Sequence, residues 1–229
     1  MTEYHLRDGS TTEDARLGRL VEADPRTRSY PVRALMPVKT TRARSYTWSI
    51  GAILDQGATS SCVGHAVAHR LIARPVVRPD ITGKDALEFY RLAQTLDPWD
   101  GEDYEGTSVL AGVKAAKQKG YISAYHWATT LDDLIMGVGY LGPGVIGTWW
   151  WSNMMDTTTN GAVSPTGYKM GGHAWLINGL NLRAKLFFCV NSWGEKWGKG
   201  GKFIITFSDM EKLLKDAGEA CFFKEVVKK

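Results

Sequence analysis

The sequence predicts an α+β fold, with helices in its first half, strands in its second, and a cleft where the halves meet. Capped, helix-like runs lie before Gly120, and five short β-rich runs separated by glycines follow it. The 229 residues are 44% hydrophobic, enough for a sizeable core in one unit or two small subdomains. Charged residues make up 23%, near the globular average, which excludes wholesale disorder.

Residues 1–47 are polar, arginine-rich and punctuated by Pro25, Pro31 and Pro37, so an extended segment is expected, not a domain. Between Asp24 and Ser45, Arg26, Arg28, Arg33, Lys39, Arg42 and Arg44 meet no acidic residue. No aromatic-interleaved motif accompanies them, so the run reads as a solvated tail or surface strap, and no nucleic-acid partner is expected. The segment is expected to strap the folded unit, to offer a docking site to a protein assembly partner, and to leave the cleft unfilled. The acidic loop Asp97–Glu105 (Asp97, Asp100, Glu102, Asp103, Glu105) is a candidate partner for its arginines. Otherwise that loop reads as a solvated one that selects basic substrates; a cation site is the alternative, but the spacing matches no Ca²⁺ loop.

Residues 48–120 are expected to form a helical subdomain. Ser61–Ala73 (SCVGHAVAHRLIA) reads as a helix with Ser61 as N-cap and Pro75 just beyond its end. Asp85–Leu96 reads as a second helix, and Thr107–Lys119 as a third, closed by Gly120 as a left-handed cap.

Residues 121–229 are expected to form a β-rich subdomain built from GVIGTWWW, HAWLINGL, LFFCVNSW, GKFIITF and ACFFKEVV. Leu134–Met155 carries no charge and has the length to span a bilayer, but five glycines and Pro143 interrupt it. It reads as a helix end, a Gly-Pro turn and a buried strand, with no membrane span. Trp149, Trp150 and Trp151 fall on that strand, so the middle ring faces opposite its neighbours.

Three cysteines, Cys62, Cys189 and Cys221, make an odd set that describes no disulfide framework. The N-terminal sequence lacks the apolar core of a signal peptide. Synthesis in the cytosol is expected, followed by retention, release by lysis or association with a virion.

The chemistry concentrates on four residues. Cys62 opens the first helix, where backbone N–H groups and the macrodipole favour an anion, so its thiol pKa is expected to be depressed. On position alone, a small buried cysteine is an equal reading. Gln56, six residues earlier, stands where its amide donates to a developing oxyanion beside the Cys62 N–H. His173 follows two glycines that let another chain segment approach, and opens a strand that holds it as a base. Asn191, 18 residues on, offers an amide oxygen to orient the imidazole. Singly, these read as a core cysteine, a hydrogen-bonded core histidine and turn residues.

Together they resemble the papain-like (C1-type) cysteine peptidase family. The family's Gln-Gly-x-x-x-x-Cys spacing is matched by Gln56-Gly57 and Cys62, and its Gly-His-Ala by Gly172-His173-Ala174. Its long Asn-Ser-Trp-Gly-x-x-Trp-Gly-x-x-Gly run is matched by Asn191-Ser192-Trp193-Gly194, Trp197-Gly198 and Gly201. GPGVIGTWWW resembles the Gly-Pro-initiated strand before the histidine, and the likeness covers roughly residues 48–225.

The resemblance implies a papain-like fold: a helical left subdomain carrying Cys62, a β-barrel-like right subdomain carrying His173 and Asn191, and the active-site cleft between them. It implies Cys62 as nucleophile, His173 as acid and base, Asn191 as its orienter and Gln56 as oxyanion donor. Trp193, Gly106 and Gly172 are implied in the substrate cleft, Trp193 on its leaving-group side. The implied reaction is peptide-bond hydrolysis through a thioester, with no metal or organic cofactor. A peptidoglycan-crosslink hydrolase or acyl transferase shares this site, and a non-catalytic papain-like component of a phage particle is the alternative of another class.

The sequence departs from the family at Thr59, where a cysteine is usual, at Val63 in place of an aromatic, and at Gly172 in place of an acid. The Cys-rich Gly-Gly cleft wall is replaced by Tyr104–Ser108. These departures resemble a disulfide-free bacterial or phage branch. His65 and His69 follow Cys62 by three and seven residues; the resemblance places His65 on the buried face of the first helix, and both read as structural.

Overall fold

The structure, a computed structural model, describes residues 2–25, 30–36, 42–99 and 104–227. Arg26, Arg28, Lys39, Asp100, Glu102 and Asp103 lie outside the described residues. The chain opens with short strands β1 (Tyr4–His5), β2 (Thr11–Thr12), β3 (Arg19–Leu20) and β4 (Tyr46–Thr47). Helices α1 (Cys62–Leu71) and α2 (Gly83–Gln94), strand β5 (Thr107–Ser108) and helix α3 (Val109–Gln118) follow. Next come β6 (Ile122–Ala128), α4 (Leu131–Tyr140), β7 (Gly144–Trp151), β8 (Lys169–Asn181) and β9 (Leu186–Val190). The chain ends with β10 (Lys202–Thr206), α5 (Phe207–Lys215) and β11 (Glu219–Glu225).

All ten residues of α1 are buried, including His65, His69 and Arg70, and its smallest residue sets how near α2 can come. A Cβ at Gly64 would lie 2.2 Å from the Ala86 carbonyl of α2, so only glycine permits that helix contact. In α2, Ala86, Phe89, Tyr90 and Ala93 form the inward stripe, and Thr82 and Asp85 build a capping box. Ser108 caps α3 through the Ala111 N–H, and Gly120 (φ +77°) closes it. Ser61 precedes α1 as expected but makes no side-chain cap. Its hydroxyl is 2.6 Å from Thr59 Oγ1 and 3.1 Å from His65 Nδ1.

The main sheet has seven strands in the order β10-β9-β8-β7-β11-β6, with β4 added to β8. All its pairings are antiparallel. Alternation along the strands gives it two apolar faces. Val145, Ala174, Leu176, Cys221 and Phe223 pack under α1, α2 and α3. Ile146, Trp150, Trp175, Ile177 and Phe222 pack on the other face with α4 and α5. The stretch Leu134–Met155 resolves into the end of α4, the Gly142-Pro143 turn and β7. The α+β class holds, with helices α4 and α5 lodged in the half expected to be mainly strands.

Helix α5 is the element that strand-like patterning concealed. Its signals are Thr206, which caps the Asp209 N–H, and the inward set Phe207, Met210, Leu213 and Leu214. Among the described residues, no helix is long and apolar enough to cross a membrane.

Candidate active site

Strand β8 carries His173 opposite Thr148 of β7, and Asn191 follows directly after β9. His173 Nε2 is 2.7 Å from Asn191 Oδ1. The Ser192 N–H donates to the same oxygen at 2.8 Å, which fixes it as the acceptor. The imidazole therefore carries its proton on Nε2 and presents a bare Nδ1, which has no hydrogen-bond partner among the described residues. The Trp193 ring lies 5.0 Å from the imidazole centroid, and buried Trp150 meets it edge-on at 4.8 Å. Trp150 is the inward member of the tryptophan triplet, while the cation of Lys169 lies over the rings of half-buried Trp149 and Trp151.

Cys62 stands at the first position of α1, fully buried, with the N–H groups of Ala174, Val63 and Gly18 at its sulfur. The Ala174 contact brings the thiol beside the residue that follows His173. Gln56 is held from two sides. Its Oε1 accepts from Ser192 Oγ at 2.6 Å, which leaves Nε2 to donate to Thr59 O at 2.5 Å and Arg16 O at 3.1 Å. Ser192 thus orients both Asn191 and Gln56. It lies inside the Asn-Ser-Trp-Gly run, but its position in sequence does not disclose that link.

The N-terminal segment overturns an expectation. Residues 14–20 do not leave the cleft unfilled; they run through it across Cys62. The Ser60 hydroxyl donates to Ala15 O at 2.9 Å, and the guanidinium of Arg16 lies 4.0 Å over the Trp193 ring. The Thr107 N–H donates to Gly18 O at 2.9 Å, and β3 then pairs in parallel with β5. Gly172 and Gly106 make room for this path. A Cβ at Gly172 would lie 1.9 Å from Arg19 O, and one at Gly106, 2.9 Å from Gly18 O. The physical reason is fit: glycines at 106 and 172 leave room for the segment's backbone, and the Ser60 hydroxyl, the Gln56 amide and the Thr107 N–H donate to its carbonyls.

The later part of the segment does run along the surface. Arg33 pairs with Asp133, and Arg44 stacks on Tyr140 and Tyr46 at 4.4 and 4.8 Å.

The thiol pKa is shifted opposite to the expectation. Burial pushes the Cys62 thiol up, and the surrounding N–H groups and the Arg19 cation only partly oppose it. Burial likewise lowers the His173 pKa to about 4, against the bond to Asn191. The site is therefore held as neutral thiol and neutral imidazole.

Asp97 meets Arg7 at 3.4 Å and accepts from Thr107 Oγ1 at 2.8 Å, with its side chain fully buried, so this part of the acidic loop is not solvated. His65 Nδ1 lies 3.0 Å from Ser61 O, and His69 Nε2 accepts from the Leu54 N–H at 2.9 Å. Both histidines are buried structural groups. All three cysteines are free and buried.

No protein-family model matches the chain. It is 26% identical to an uncharacterized peptidase C1-like protein of Acanthamoeba polyphaga mimivirus, over 67% of this chain and 64% of that relative. The match thus spans less than two thirds of the relative's length. Xylellain, a cysteine protease from Xylella fastidiosa, superposes with a TM-score of 0.73 at 16% identity, covering 94% of this chain and 98% of that one. Digestive procathepsin L2 from the larval midgut of Tenebrio molitor gives 0.61 at 16% identity, over 97% and 84%. The bromelain protease of Ananas comosus, in complex with the E64 inhibitor, gives 0.51 at 15% identity, over 81% and 100%. The chain has the fold of the papain-like cysteine proteases and is similar in sequence to a peptidase C1-like protein.

Proposed function

We propose that the chain is a cysteine peptidase that hydrolyses peptide bonds with Cys62, His173, Asn191 and Gln56, and that residues 14–20 hold it latent. The observation that carries this reading is the Asn191-oriented His173 on the strand whose next residue, Ala174, meets the Cys62 thiol at the start of α1. Once the segment leaves, the bare Nδ1 of His173 takes the thiol proton and the Cys62 sulfur attacks the substrate carbonyl carbon. The oxyanion forms where Arg16 O now accepts from Gln56 Nε2. His173 returns its proton to the leaving amine, the C–N bond breaks, and a thioester remains. His173 then deprotonates a water, whose oxygen displaces the sulfur and frees the acid.

The direction of the segment supports latency. Arg16 lies at Trp193, the leaving-group side, and Arg19 lies on the acyl side, so the segment runs opposite to a substrate. A crosslink hydrolase or acyl transferase would use the same four residues, and nothing in the site favours either.

The test is labelling of the full chain with a peptidyl epoxide, read by peptide mass spectrometry. Cys62 is expected to be modified, slowly at first and faster once the segment is loosened, while Cys189 and Cys221 stay unmodified in the folded state. Equal modification of all three cysteines without denaturant would sink the reading.

A further inference from the structure

Arg19 follows Gly18, whose N–H lies at the Cys62 sulfur, so its side chain enters the first pocket on the acyl side of the nucleophile. That side chain is 1% exposed. Its Nε and Nη2 donate to Glu219 Oε1 at 3.1 and 2.6 Å, and Nη2 also donates to Ala217 O at 2.8 Å. The pocket is built to admit a long side chain. Glu219 of β11 pairs with Gly147 of β7, and a Cβ at Gly147 would lie 2.7 Å from Arg19 Nε. The pocket opens into a cavity of about 890 Å³ between the segment and the Ala217–Glu219 turn, with Trp127 and Ala128 on its wall.

Nothing in the sequence motifs assigns Glu219. When residues 14–20 leave the cleft, its carboxylate loses the guanidinium that neutralises it while keeping its sheltered place, with 18% of the side chain exposed. A sheltered carboxylate without a counter-ion is costly, and an apolar side chain entering the pocket would raise that cost by excluding water. A guanidinium restores both the charge pair and the forked donation to Glu219 and the Ala217 carbonyl, a geometry that arginine supplies and an ammonium group does not. Glu22, which lies beside Glu219, adds negative charge, although Lys114 stands 3.7 Å from it.

We infer that Glu219 makes this pocket a subsite selective for an arginine side chain in the substrate, and that Arg19 is its intramolecular stand-in. Because the segment runs opposite to a substrate, the selected residue is the second before the scissile bond. The inference rests on the peptidase reading above and deepens it.

The test uses two peptidyl vinyl sulfones, each with glycine next to the electrophile and differing only in arginine or leucine at the second position. Rates of Cys62 labelling are measured on the full chain, unmodified and with Glu219→Gln, each also in a Gly18→Ala background that loosens the segment. Iodoacetamide serves as a probe that ignores the subsite. The arginine-to-leucine rate ratio cancels the opening equilibrium, which both probes share. A ratio of about tenfold or more is expected for Glu219, falling to about unity for Glu219→Gln. A ratio near unity with Glu219, or one unchanged by Glu219→Gln, overturns the inference and leaves the peptidase reading intact. Iodoacetamide modifying Cys62 while neither peptide does overturns the peptidase reading and the subsite with it.

Discussion

The two ring nitrogens of His173 have different surroundings, and the difference sets what Asn191 is worth. Nε2 is tied to Asn191 Oδ1 at 2.7 Å, while Nδ1 has no partner among the described residues and is the nitrogen left to exchange a proton. On the proposed roles, Asn191→Ala removes the orienter but leaves nucleophile and base, so turnover is expected to fall by about one to three orders of magnitude. Cys62→Ala and His173→Ala are expected to cost about 10⁴-fold or more, because nucleophile and base act as one unit. Steady-state rates of the three variants on one peptide substrate check this, and a fully active Asn191→Ala would remove Asn191 from the site. Cys62, Gln56, His173 and Asn191 were legible because each lies in a short contiguous motif. Ser192 and Glu219 were not, because their roles depend on Gln56 and Arg19, which are 136 and 200 residues away in sequence.

At the scale of elements, the helices and strands with clear periodicity could be read from the sequence, and the path of the N-terminal segment could not. Alternation along β7, β8 and β11 and the stripe of α2 each encode a buried face. Residues 14–20 show no such period: Leu17, Arg19 and Leu20 are all buried without alternating, and the segment docks through its backbone as well, Arg16 O to Gln56 and Gly18 O to Thr107. Gly18 is the sensitive point of that docking. A Cβ there would lie 2.3 Å from Ser60 O and 2.5 Å from Ser60 Cβ, against a helix start that cannot retreat. Gly18→Ala is therefore expected to lift the segment and raise the rate of Cys62 labelling by about 5- to 100-fold, the usual cost of overpacking a close contact. The variant replaces none of the four catalytic candidates, and Gly18 has left the Cys62 sulfur once the site is open, so intrinsic reactivity per open site stays the same. Unchanged labelling kinetics, with the fold intact by circular dichroism, would show that the segment does not gate the thiol.

For the whole molecule, the buried histidines tie stability to pH. Burial lowers His69 to about 3 and His173 to about 4, and it lowers His65 as well. In the unfolded chain each titrates near its ordinary value of about 6.5. Between that value and the folded one, the unfolded state binds the proton and the folded state does not. Stability is therefore full above about pH 6.5 and falls as the pH drops, at about 1.4 kcal/mol per pH unit for each histidine. Asp14 and Asp85, held below the usual carboxylate range by Arg16 and Thr82, add a further loss only at more acid pH. From pH 7 to 5, His69 and His173 together are expected to cost about 4 kcal/mol, or about 8–15 °C in Tm for a chain of this size. His173 differs from His69 in one respect: its burial is partly due to residues 14–20, so acid favours release of the segment before it unfolds the core. His69, against the Leu54 N–H, can lose its burial only by unfolding. His69→Gln keeps an acceptor for that N–H and cannot be charged, so its Tm should fall about half as far between pH 7 and 5. Parallel Tm curves for the two proteins would show that His69 does not carry the acid sensitivity. Iodoacetamide labelling of Cys62 should meanwhile rise relative to a free thiol over the same pH range, well below the unfolding midpoint, in both proteins.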